Sequence, residues 1–158
     1  MKRLLILLVI APFIFFSCEK NTDYRDGYEG TYVTKIVGSI NFVDVGMFMP
    51  LEGDDVEIVV VKSGSEQLKL IAGGKITIVA VDKDGNFNLP TESASQIMTD
   101  PDTGISVIMN LTSSGTGTIT NKALYMDEKY SGNAILNINS ENYNSVISGT
   151  AVYNGKKK

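Results

Sequence analysis

A chain of 158 residues, 43% of them hydrophobic, is long enough for one domain with its own core. It carries 14 basic against 18 acidic residues, a formal net charge of −4, which argues against nucleic acid and against docking on anionic lipid through a basic face. It has no histidine and one cysteine, which leaves Ser–His or Cys–His hydrolysis without its base and zinc without its usual ligands. No residue set points to a catalytic centre, a metal or another cofactor.

The chain opens with Met1, Lys2 and Arg3, followed by an apolar run from Leu4 to Phe16. A basic start and a short apolar stretch are the pattern of a secretory signal. A bilayer span needs about 20 apolar residues, so this run is short for one. Pro12 would also break a helix there. Ser17 and Cys18 come next, and the sequence then turns polar. The junction resembles the lipobox of bacterial lipoproteins, with Phe15 where leucine is commoner. That resemblance implies cleavage before Cys18, lipidation of its thiol and a membrane partner reached through the lipid. An ordinary signal peptide with an incidental thiol is the other reading. The organisation expected is a signal at 1–17, a lipidated tether at 18–27 and one domain at 28–158. Cleavage removes Lys2 and Arg3 and leaves 12 basic and 18 acidic residues, a net charge of −6.

From residue 28 onward, β-branched and aromatic residues alternate with polar ones, and Gly, Asn and Asp punctuate them. Strands are expected near 30–41, 54–62, 66–72, 75–82, 86–90, 105–112, 115–127, 132–139 and 145–154. Asp84-Gly85 is the best hairpin turn among the breaks. Leu68 and Leu70 share a face, as do Ile105, Val107, Met109 and Leu111, and Ala134, Leu136 and Ile138. One apolar and one mostly polar face per strand is the antiparallel pattern. The fold expected is all-β, an antiparallel meander of about eight or nine strands closed as a barrel, with a β-sandwich as the alternative. The stretch 91–98, "TESASQIM", is expected to make one or two helical turns.

The segment "DYRDGYEGTYVTK" at 23–35 and the closing "SGTA" strand at 148–151 resemble the two ends of calycin-like and lipocalin-like lipoproteins of Bacteroidetes. The resemblance rests on Gly30-Thr31-Tyr32, where that family begins its first strand with Gly-x-Tyr or Gly-x-Trp. It implies a lipocalin-like barrel whose floor is formed by Gly30 and plugged by Tyr32. It also implies an outer-membrane address and a small apolar ligand. No residue of the last strand is identifiable as the basic partner that packs over the ring in true lipocalins.

In such a barrel, a long loop between the first two strands lids the mouth. Met47, Phe48, Met49 and Leu51 fall there, beside Pro50, which is expected to end any regular strand. They are the candidate ligand-binding lid, since methionine adapts its shape to greasy ligands. The same residues would otherwise fill the core or form a protein-contact patch. Asp54, Asp55 and Glu57, and also Asp127 and Glu128, are read as solvated charges rather than catalytic carboxylates. "DKDGN" at 82–86 places its glycine fourth, against sixth in an EF-hand loop, and is read as a turn. The function expected is a lipid-anchored binding module, with a structural or protein-interaction lipoprotein as the alternative. If Cys18 carries the lipid, Cys18→Ala abolishes labelling of the protein by radioactive palmitate. Undiminished labelling would refute the assignment.

Overall fold

The computed structural model describes residues 23–99 and 104–158. Eight strands form one antiparallel sheet: β1 (Gly30–Phe42), β2 (Met47–Ser63), β3 (Gln67–Ala72), β4 (Lys75–Ala80), β5 (Asn86–Thr99), β6 (Ser106–Ile119), β7 (Ala123–Ile138) and β8 (Glu141–Lys157). The order is β4-β3-β2-β1-β8-β7-β6-β5, so the first and last strands lie side by side at its centre. The sheet curls into a nearly closed barrel with one unsealed seam, between β4 and β5. Backbone pairing across that seam is confined, among the described residues, to its base, where Val81 pairs with Phe87 next to the Asp82–Asn86 turn.

The alternation read from the sequence sets the inside of the barrel. Leu68 and Leu70 belong to a lower apolar cluster with Tyr32, Val60, Phe87 and Leu124. Met109, Ala134 and Leu136 belong to an upper cluster with Ile40, Phe42 and Ile147. Val107, Leu111 and Ile138 pack against the upper cluster.

Three expected boundaries are corrected. Residues 91–98 are not helical: they continue β5, which runs to Thr99. The region 105–127 does not break at 113–114 but at 120–122, so β6 and β7 are both longer than expected. Residues 47–53 are not a loop: they form the first half of β2, paired with β1 from Phe42↔Met47 to Ile36↔Gly53. Pro50 is tolerated there because β2 pairs with β3 only from Val59 to Ser63, which leaves its other edge without a neighbour at Pro50. Pro90 sits likewise on the seam edge of β5, at a register shift between Leu89 and Glu92.

A bulge in β2 decides which side chains face inward. Thr34 pairs with Val56 and Ile36 with Gly53, so Lys35 alone opposes Asp54 and Asp55, and Asp55 takes a φ of 57°. One extra residue inverts the period-2 alternation. Val56, Ile58 and Val60 therefore share the inner face with Met49 and Leu51, which pack against the upper cluster. Phe48 and Pro50, at the unpaired edge of β2, are exposed. Deleting Asp55 would restore strict alternation and turn Met49 and Leu51 out. The expected loss is about 2–4 kcal/mol, from two half-buried apolar side chains, read as a lower urea midpoint. An unchanged midpoint would show that the bulge does not set the register.

Candidate functional site

The two ends of the barrel differ. At the base, Tyr24–Gly27 form a 3-10 turn capped by the Asp23 side chain. Tyr24 donates to the Val81 carbonyl at 2.9 Å, and Arg25 donates to the carbonyls of Gly64 at 2.8 Å and Gln67 at 3.2 Å. The Arg25 guanidinium holds the Asp23 carboxyl down at about 2. Residues 24–27, expected to be tether, are thus hydrogen-bonded onto the barrel base.

Tyr32 plugs this end. It is fully buried, and its hydroxyl shares its proton between the carbonyl oxygens of Tyr28 and Thr120, each 2.8 Å away. Burial, and then the neighbouring Tyr28, push its pKa up to about 12. A basic residue does lie over the ring. Lys157 of β8 places Nζ 5.9 Å from the ring centroid and donates to the Gly27 carbonyl at 3.0 Å. The sequence reading missed it because three consecutive lysines end the chain and nothing local says which one faces inward. Gly30, at a φ of 144°, makes room for it: a Cβ there would stand 2.5 Å from Lys157 Cε. Gly30, Tyr32 and Lys157 form one packed unit.

The opposite end is open. β3 and β4 stop halfway up, so only β2, β1, β8, β7, β6 and β5 enclose the upper half. A cavity of about 290 Å³ lies at this mouth, lined by Phe42, Met47, Phe48, Met49, Met98, Val107 and Met109, among others. Four of the six methionines of the chain meet there. Of the expected lid residues, Met47, Phe48 and Met49 line this cavity from a strand rather than a loop, and Leu51 packs deeper. Phe48 is 69% exposed.

Between the two apolar clusters lies a polar belt. Glu128 of β7 lines a cavity at the barrel's waist, and its Oε2 accepts hydrogen bonds from Tyr130 at 2.8 Å and Tyr153 at 2.9 Å. The sequence reading placed Glu128 among solvated charges because β7 was ended at 127. Continued alternation from Leu124 and Met126 through Tyr130 to Ala134 and Leu136 would have put it inside. Asp54, Asp55 and Glu57 are exposed, with Lys35 paired to Asp54 at 3.2 Å and Lys158 to Glu57. "DKDGN" is a turn in which Asp82 Oδ1 accepts from the backbone of Asp84 and Asn86. Among the described residues, no three His, Cys, Asp or Glu side chains group as metal ligands. Cys18, with the signal and most of the tether, lies outside the described residues.

Comparison of the chain with protein-family models, with curated proteins and with solved structures finds no match in any of the three.

Tyr32 and Tyr153 each have a pKa raised to about 12, with burial as the main cause. Folding therefore favours the neutral phenol. This stabilisation is complete below pH 10 and is lost as the pH rises from 10 toward 12. The urea midpoint should fall over that window, and less steeply in Tyr32→Phe. Equal slopes in the two proteins would contradict the buried-phenol account.

Proposed function

We propose that this protein is an extracytoplasmic lipoprotein, held to the outer membrane through Cys18, whose lipocalin-like barrel binds a small apolar ligand at its open mouth. The observation that carries the reading is the 290 Å³ mouth cavity with its four methionines. A pocket that is apolar, open at one end and lined by adaptable side chains suits a greasy molecule. The Gly30–Tyr32–Lys157 unit at the base supports the lipocalin-like part of the reading. The lipobox-like Ser17-Cys18 junction supports the anchor.

A second reading, an interaction module, is favoured by one outer surface. Ile97, Ile108 and Ile135 stand in register across β5, β6 and β7, and all three are exposed. An apolar row on adjacent strands is the kind of patch a protein partner covers.

The test is a titration of the full chain with N-phenyl-1-naphthylamine, a neutral apolar probe that fluoresces when removed from water. Saturable enhancement is expected. Phe48→Ala should weaken it several-fold while changing stability by no more than about 0.5 kcal/mol, as for an exposed side chain. Ile108→Lys should leave it unchanged. Absence of saturable binding would overturn the ligand reading and leave the interaction module.

A further inference from the structure

The waist cavity is separate from the mouth: no residue lines both. It has a volume of about 120 Å³, enough for several waters or a group of a few heavy atoms. Ile58, Leu70, Leu89 and Met126 make its apolar lining, and Glu128 makes its charged wall.

The two oxygens of Glu128 are used differently. Oε2 takes both phenol protons. Burial is the first cause that raises both phenol pKa values, so each phenol keeps its proton at neutral pH. Oε1 accepts no hydrogen bond from any described residue. Among the described residues no buried side-chain oxygen lacks a partner, so Oε1 is open to the space its carboxyl lines.

The charges around the cavity do not cancel. Lys75 and Glu92 also line it, and they pair with each other at 2.6 Å across the seam. Glu128 makes no ion pair among the described residues, so the cavity keeps one negative charge. Glu128 is half-buried, and a partly desolvated carboxylate gains from a paired cation beyond what two phenols supply. The group this favours is a cation that donates hydrogen bonds. An anion would meet repulsion, and an uncharged polar group would leave the carboxylate unpaired.

We propose that the waist cavity is a second binding site, for a small alkylammonium group, with its ammonium on Glu128 Oε1 and its alkyl chain on the apolar lining. The site goes beyond the apolar ligand of the mouth and does not depend on it. Entry is through the seam between β4 and β5, beside the Lys75–Glu92 pair.

Isothermal titration of the full chain with n-butylammonium, n-butanol and butyrate at neutral pH tests the site. One equivalent of butylammonium should bind saturably. Butanol should bind at least tenfold more weakly, and butyrate should show no binding. Glu128→Gln keeps an acceptor for the phenols and removes the charge, and it should weaken butylammonium at least tenfold. The ligand series on the unaltered protein decides the matter even if that variant does not fold. Butanol or butyrate binding as tightly as butylammonium would overturn the proposal. So would no saturable butylammonium binding at millimolar concentration, or an undiminished affinity in folded Glu128→Gln. N-phenyl-1-naphthylamine titrated in parallel keeps the two sites apart: its binding without selective butylammonium binding sinks the waist site alone.

Discussion

A phenol buried to its last atom must give its proton to an acceptor or cost the fold about 1–3 kcal/mol. Tyr32 meets that requirement with two carbonyls from segments far apart in sequence, Tyr28 just before β1 and Thr120 in the turn between β6 and β7. Lys157 can pass over the ring because Gly30 lacks a Cβ. First strand, last strand and a distant turn are thereby fixed to one side chain. The lower apolar cluster packs on that ring. With the inside of the base filled in this way, the two candidate cavities lie higher, at the waist and the mouth.

The unsealed seam is the second consequence of the strand lengths. β3 and β4 are six residues each, whereas β2 has 17 and β5 has 14. The short hairpin cannot cover the long edges beside it, which expose unpaired backbone. Bare edges invite pairing with another chain. Here both are blunted: β2 by Pro50 and the Asp54–Asp55 bulge, β5 by Pro90 and its register shift. The Lys75–Glu92 pair spans the gap at the top of β4, but it is largely exposed, so it adds at most about 1 kcal/mol.

What the sequence revealed and what it hid follow one rule. Alternation was legible wherever it ran unbroken, as at 66–70, 105–111 and 134–138, and those residues do face the core. It misled where a bulge inverted it. Across Asp54-Asp55 the inner residues change from odd to even numbers, so Met47 to Leu51 read as a loop. The bulge at Pro90 does the same to β5, and its small polar residues after 91 read as helical turns. Glu128 was missed for the opposite reason, since a charged residue within unbroken alternation was taken to end the strand. Bulges and buried charges are settled by contacts with other strands, which a local pattern does not contain.

The described chain enters at the plugged end, where residues 23–27 are fastened to the base. β1 then runs 13 residues toward the mouth, about 40 Å of extended backbone. Asp23 therefore lies at the far end of the barrel from the opening. At physiological ionic strength electrostatic fields decay over about 8 Å. Even with the strands tilted across the barrel wall, base and rim are several such lengths apart, so a charge at the base exerts almost no field at the rim. The methionine-lined opening would therefore meet the charge of a solute through its own rim residues, not through the charged groups fastened at the base.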